Sequence, residues 1–361
     1  MEDTKIFYGD PAQCVPLDHR SYDARLKETE HRQELPGFDA QYLDVVDYIL
    51  KITHRIWEEK AVGVIYDTYG TCCLVHTGDG SRTGVAPVVS GTLAALYAYP
   101  DRKIAAEEVI WSEDKPGFFF SSHRGFSTAT NLGDSQFGPA TGKTISFRSI
   151  ADCACTKNQI YEEWLVRDNL ALVEQLGLDP REVGRQMAAG QPAKAPLGRD
   201  ECMEGQLTPA PYRAKDGSPG ERVLELMNEI YNRKMIDRVR DFYADNGILH
   251  TVGGRELVGH DEIQGSVIAL LASFPDARLF VDRVTCNDYP DGDSRVAVRW
   301  RLRGYHDGIG FFGAPSGRPV ELLAITHFNF RDGKVVEAWE LYDTLDVYRQ
   351  LALGGETDPE Q

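Results

Sequence analysis

Long apolar runs are missing from this chain. No stretch approaches the roughly 20 consecutive apolar residues that a membrane-spanning helix needs. Positive charge is also short, with 39 Lys and Arg against 56 Asp and Glu and a net charge of −17. That balance argues against nucleic acid, because phosphate binding needs clustered Lys and Arg, and it disfavours anionic membrane surfaces. The opening MEDTKIFYGD lacks the basic segment and apolar core of a secretory signal, so the expected location is cytoplasmic. Cysteine is sparse and odd in number: Cys14, Cys72, Cys73, Cys153, Cys155, Cys202 and Cys286. In a cytosolic chain these are expected to be reduced and buried. Cys72-Cys73 and Cys153-x-Cys155 lack zinc spacing and no second pair supports them, so no metal site is expected. The Gly-rich stretch Asn131–Gly142 lacks the Gly-Lys-Ser/Thr ending of a phosphate loop and reads instead as a lid.

What the sequence does have is a duplication. Ile160–Asp179 recurs as Val335–Leu353, with Trp164 and Trp339, Asp168 and Asp343, and Gln175 and Gln350 each 175 positions apart. Pro100-Asp101 answers to Pro275-Asp276, and Gly84, Gly138 and Gly142 answer to Gly259, Gly313 and Gly317. His76-Thr77 answers to His250-Thr251 at an offset of 174, and Tyr69 and Tyr243 each stand seven residues before their histidine. A period this long marks a whole domain used twice, each copy of ordinary domain size.

Along the chain, residues 1–40 read as a polar N-terminal arm with one short helix. Residues 41–179 and 221–353 are the two domains, 180–220 a Pro-rich interdomain linker with one helical turn near Arg181–Ala188, and 354–361 a polar tail. Each domain opens with helices: Val45, Ile49, Ile52 and Ile56 stand at helical spacing in the first, and Val223, Met227 and Ile230 in the second. Long strands follow, over roughly 103–112, 117–128, 143–156 and 159–167, and again over 278–288, 294–306, 318–331 and 334–342. Asp332-Gly333 closes the last pair as a two-residue hairpin turn. This is a segregated α+β layout, with helices on one face of a curved sheet.

These features resemble tandem domains of the SnoaL-like polyketide cyclase and ester cyclase family, within the nuclear-transport-factor-two-like superfamily. The resemblance rests on Glu337, Trp339, Asp343 and Gln350-Leu351, on their counterparts Glu162, Trp164, Asp168 and Gln175-Leu176, on His76 and His250, on Pro-Asp before the long strands, and on the Asp332-Gly333 hairpin. It covers roughly 45–179 and 221–353. It implies two cone-shaped α+β barrels, each a bent antiparallel sheet packed by three helices round an apolar pocket, with no cofactor and no metal. It also implies an Asp late in the last strands acting as acid and base beside a His. Asp343 with His327, and Asp168, are the candidates for those roles.

Strand alternation puts Glu162, Trp164, Val166 and Asp168 on one face, and likewise Glu337, Trp339, Leu341 and Asp343. A carboxylate desolvated in an apolar pocket suits proton abstraction beside a carbonyl. The reading is therefore a cofactor-free cyclase, isomerase or lyase acting on a small carbonyl compound. In the first copy Asp152 stands where the second has His327, and Arg148 shares its strand face. Asp152, Arg148 and Asp168 resemble in residue type an epoxide hydrolase's Asp–Arg–Asp set, which gives a water-activating hydrolase as the alternative. His123 on the preceding strand enters the same pocket. His76, His250, Trp164, Trp339, Tyr69 and Tyr243 are further candidates for pocket wall or substrate contact. A non-catalytic binding or scaffold protein remains the other class. Expected partners are a small-molecule substrate and a second such domain, paired within the chain or in a homodimer.

Overall fold

A computed structural model describes residues 6–17, 22–203 and 208–354. The expected polar tail from 355 on, positions 1–5 and 18–21 of the arm, and 204–207 of the linker lie outside the described residues. The chain divides into two compact units. Of the described residues, the N-terminal unit comprises those within Phe7–Leu176 with Thr285–Gly292, and the C-terminal unit comprises Ile6 and those within Gly177–Val284 and 293–354.

In chain order the first half contains β1 (Ile6–Tyr8), α1 (Tyr22–Arg25), α2 (Val45–Trp57), α3 (Val64–Thr68), β2 (Tyr69–Thr77), β3 (Gly80–Thr83) and α4 (Val85–Ala98). Four strands follow, β4 (Lys103–Lys115), β5 (Phe118–Thr130), β6 (Thr144–Thr156) and β7 (Gln159–Arg167), then α5 (Asn169–Leu176) and α6 (Pro180–Ala188). The second half repeats the pattern with α7 (Pro219–Leu226), a π-helical turn at Met227–Asn232, α8 (Val239–Phe242), β8 (Tyr243–Thr251), β9 (Arg255–Val258) and α9 (Gly259–Ser273). It continues through β10 (Arg278–Asp288), β11 (Ser294–Tyr305), β12 (Pro319–Arg331) and β13 (Lys334–Tyr342) to α10 (Thr344–Ala352). The sheets run β3-β2-β7-β6-β5-β4 and β1-β10-β11-β12-β13-β8-β9. The expected α+β class holds in both halves. Among the described residues neither order returns to its first strand, so the sheets are open rather than closed barrels.

Local chemistry explains the elements that frame the site. Asp44 caps α2 by accepting the Asp47 amide at 2.6 Å, and the apolar stripe Val45, Ile49, Ile52 and Ile56 is wholly buried. With Tyr48 that helix forms a core cluster with Trp111, Phe119, Ala151, Cys153 and Ile160, and Leu165 packs against it. Helix α2 therefore covers the face of β4–β7 that carries Ala151, Cys153 and Leu165. The β12–β13 hairpin turns at Asp332 and Gly333 with φ of 50° and 72°. Both values fall in the left-handed region that a type I′ turn demands and that Asp-Gly tolerates. On α4 Leu93 is 53% exposed, while Leu96 is buried.

The segment expected to be an extended linker is partly structured on the C-terminal unit. Asp179 caps α6 at the Arg181 amide, with Pro180 at its first turn. A Cβ on Gly184 would stand 2.5 Å from Tyr348 Cβ, so only glycine permits this closeness to α10. Lys194 Nζ then reaches Gln350 Oε1 at 2.9 Å, and the Leu197 amide donates to the Tyr305 hydroxyl at 3.0 Å.

Candidate active site

Directly paired residues on neighbouring strands point to the same side of a sheet. In the C-terminal unit the pairing aligns Val298, Thr326 and Glu340 in one row across β11, β12 and β13. Tyr231, from the π-helical turn, lies over this face. Its ring centroid is 5.6 Å from that of Trp300, and its hydroxyl donates to Glu340 Oε2 at 2.8 Å. Trp300 in turn donates its indole N–H to Thr326 Oγ1 at 2.9 Å, so both polar groups of that row are held.

Glu340 is 5% exposed. Burial pushes its carboxyl up to about 7, although the Tyr231 hydrogen bond and the Arg255 charge pull the other way. A carboxyl poised at that value exists in both protonation states near neutrality and can take and return a proton. The Glu340 charge and, more strongly, burial raise the phenol of Tyr243 well above its usual range, which keeps it a neutral donor.

The N-terminal unit places its interior polar groups differently. The row matching Val298, Thr326 and Glu340 is His123, Ala151 and Leu165, each 175 positions earlier. One step along the strands lies the row Ser121, Cys153 and Glu163, where the C-terminal unit has Val296, Phe328 and Ala338. Tyr69 donates its hydroxyl to Glu163 Oε2 at 3.0 Å. Burial raises Glu163, against the Tyr69 hydrogen bond and the Arg167 charge. Burial likewise lowers His123 to about 4, so its imidazole is neutral at pH 7.

The expected Trp–Asp–His face is the other face of each sheet. Trp164 pairs with Asp152 and with His76, and Trp339 with His327 and with His250. These rows alternate with the helix-covered rows of Leu165 and Glu340, so they turn away from α2 and from Tyr231. The two clusters match each other nonetheless. His76 stacks on Trp164 and His250 on Trp339, each with centroids 5.0 Å apart. His76 Nε2 lies 3.0 Å from Glu162 Oε1, and His250 Nε2 lies 2.8 Å from Glu337 Oε1. His327 and Asp152 are buried at matching points of the two sheets.

The two aspartates sit just past the strands rather than on them. Asp343 Oδ1 accepts the amides of Leu345 and Asp346 at the start of α10, and Asp168 Oδ1 accepts the Ala171 amide at the start of α5. Both act as helix N-caps. Since β13 pairs His327 with Trp339, Asp343 lies four residues further on, about 13 Å at the rise of a strand. Arg148, expected between two aspartates, has its Nε on both oxygens of Glu107 at 3.0 Å, and Arg124 Nε reaches the same carboxylate at 2.9 Å. Burial would raise Glu107, but the Arg148 hydrogen bonds and the two positive charges outweigh it and hold the carboxyl below its usual range.

Glu340, Tyr231, Glu163 and Ser121, and Glu107 as the partner of Arg148, were not among the sequence candidates; Glu340 stands one position after Trp339 and so on the opposite face of its strand.

Both halves are thus open α+β sheets, and the C-terminal one carries a buried carboxyl raised under its helices. Residues 221–351 match the model of SnoaL, the SnoaL-like polyketide cyclase family. Among solved structures, the chain is similar to a protein of Jannaschia sp. CCS1 described as a SnoaL-like polyketide cyclase. Identity is 27%, covering 40% of this chain and 99% of that one, with a TM-score of 0.34. IdmH of Streptomyces antibioticus, described as a polyketide cyclase, is 24% identical over 38% of this chain and 99% of its own, with a TM-score of 0.32. AclR of Streptomyces galilaeus, described as a hydroxylase, is 24% identical over 40% of this chain and 91% of its own, also at 0.32. No curated protein matches the chain. Among the described residues no helix is long and apolar enough to cross a membrane, and no group of three or more His, Cys, Asp or Glu could hold a metal ion.

Proposed function

We propose that residues 221–351 catalyse proton transfer on a small carbonyl compound, closing a ring by intramolecular aldol addition, with Glu340 as the acid and base. The observation that carries this is the buried Glu340 carboxyl, held by Tyr231 on the helix-covered face and raised to about 7. The ionised carboxylate takes a proton from a carbon between two carbonyls. The resulting enolate carbon attacks a second carbonyl of the same molecule, forming the carbon–carbon bond. The alkoxide so produced takes the proton back from Glu340, so no atom is lost or gained. Tyr231 holds the carboxyl in place and favours its charged form. Glu340 takes over the role first given to Asp343 and His327.

The family's name supports a polyketide-like substrate, rich in alternating carbonyls. The test incubates the intact chain with linear and partly cyclised poly-β-carbonyl esters in deuterated water. Mass spectrometry follows both ring closure and deuterium uptake at the activated methylene. Glu340→Gln abolishes both while the fold is retained, and Asp343→Asn and His327→Asn leave both in place. Full exchange and closure in Glu340→Gln, or their loss in Asp343→Asn with folding intact, overturns the assignment.

A further inference from the structure

The row that carries Glu340 continues past the last strand. β8 runs parallel to β13, with Ala338 opposite Leu249 and Trp339 opposite His250, so the next step sets Thr251 beside Glu340. Thr251 in turn pairs with Arg255 across the β8–β9 hairpin. Glu340, Thr251 and Arg255 therefore follow one another on one face, about 4.8 Å from strand to strand. The protein leaves two of the three incompletely used. Thr251 is 3% exposed and its Oγ1 has no hydrogen-bond partner, which is costly unless something completes it. Arg255 is exposed. Its Nε donates to the Val252 carbonyl at 2.9 Å, and its guanidinium lies over the Phe311 ring, 5.0 Å from the centroid. These contacts fix the plane of the fork, and among the described residues no carboxylate pairs with it.

The first copy is built differently at the same hairpin. Thr77 Oγ1 donates to Asp79 Oδ1 at 2.5 Å and accepts from Arg82 Nη1 at 3.0 Å, and Arg82 Nη2 donates to Asp79 Oδ2 at 2.6 Å. Hydroxyl and guanidinium are both satisfied there, and Leu165 stands in the place of Glu340. In the second copy Gly253 and Gly254 make the turn, with φ of 79° and 64°, and supply no carboxylate. The open hydroxyl and cation thus occur beside the raised carboxyl, and the satisfied pair occurs without one.

We infer that Arg255 and Thr251 select a substrate with a free carboxylate: the Arg255 fork binds the carboxylate of a 3,5-dioxo acid, the Thr251 hydroxyl donates to its C3 oxygen, and its C4 methylene faces Glu340. The inference rests on the reading of Glu340 as the acid and base. Along such a molecule the carboxylate, the C3 carbonyl and the C4 methylene follow in the order in which Arg255, Thr251 and Glu340 stand. When Glu340 takes a C4 proton, the electron pair of that C–H bond moves towards the C3 oxygen, and the Thr251 hydroxyl stabilises the charge that develops there. A planar guanidinium with its Nε already bonded offers its Nη edge to a carboxylate, and an ester presents no charge to that edge.

Isothermal titration of the full Glu340→Gln chain with 3,5-dioxohexanoate and with its methyl ester measures recognition apart from turnover. The acid binds more tightly than the ester by about tenfold to a hundredfold, the range for hydrogen bonds to a charged group. Arg255→Met in that background removes the preference by weakening the acid alone. Arg255→Lys, which keeps the charge without the fork, restores part of it. Thr251→Val weakens acid and ester alike. With Glu340 intact, Thr251→Val lowers kcat for deuterium exchange at C4 about tenfold on either compound, whereas Arg255→Met raises KM for the acid and leaves that for the ester. Equal affinity for acid and ester, a preference that survives Arg255→Met, or no binding of either at millimolar concentration overturns the inference. Exchange that needs Glu340 but shows no preference for the acid removes the carboxylate site and leaves Glu340 standing. A preference lost in Arg255→Met, in a chain that exchanges nothing, does the reverse.

Discussion

The Tyr231 hydroxyl donates to Glu340 Oε2 across 2.8 Å, joining a helical turn to the last strand. That bond favours the charged carboxylate and opposes the upward push of burial. Removing it by Tyr231→Phe takes away a stabilising contact of one to two kcal/mol, about one pH unit. As a general base Glu340 must be ionised, so kcat/KM for methylene exchange rises with pH through a limb near 7 in the native chain. In Tyr231→Phe the limb moves up by about one unit while the plateau at high pH changes less. A limb that stays in place shows that the titrating group is not Glu340.

Stability carries the same signature with a definite sign. The folded carboxyl titrates near 7 and the unfolded one near 4.5, so the folded state holds the proton more tightly between those values. Glu340 therefore weakens the fold as pH rises from 4.5 to 7 and costs nothing below 4.5. Glu340→Gln, neutral at every pH, gains on the native chain across that window, by at most about 3 kcal/mol at neutrality. Urea melts at a series of pH values give the difference, and a constant gap from pH 4 to 8 contradicts it.

Much of the fold was legible because strands and turns leave local marks. The 175-residue offset, the helical stripe of α2 and the Asp332-Gly333 turn each reflect nearest-neighbour chemistry that a single sequence carries. The site was harder, for a reason of geometry. In a strand the two faces differ by one residue, and Trp339 beside Glu340 offers two interiors of equal plausibility. The large indole drew the reading to the Trp face, yet the helices cover the other. Tyr231 settles the matter only in three dimensions, since nothing local ties it to a residue 109 positions away. An Asp at the end of a strand pattern that precedes an apolar helix is as much a helix start as a strand end, and both aspartates start helices.

That capping role gives a prediction at Asp343. Asn caps a helix as well as Asp does, whereas Ala cannot accept the amides of Leu345 and Asp346. Asp343→Asn keeps both melting temperature and turnover, and Asp343→Ala loses about 1 kcal/mol of stability. Asp168→Asn and Asp168→Ala behave in the same way at α5, where the Ala171 amide is the donor. Thermal melts beside exchange rates decide the case. If Asp343→Asn keeps its melting temperature but loses turnover, the carboxylate has a chemical role beyond the cap.

Acid sensitivity locates the opposite effect in the N-terminal unit. His123 is held neutral by burial, with a value near 4 against about 6.5 in an unfolded chain. Between those limits the unfolded state binds the proton more tightly, so stability supplied by the neutral imidazole is complete above pH 6.5. It drains away as pH falls towards 4 and changes no further below that. His123→Gln keeps a neutral polar side chain at all these values and removes this component. Melts of the two chains from pH 7 to pH 4 therefore converge as the acid loss of the native chain overtakes the fixed cost of the substitution. Parallel curves across the whole range mean that His123 titrates in the folded protein as it does in solvent, which its place in a row with Ala151 and Leu165 does not allow.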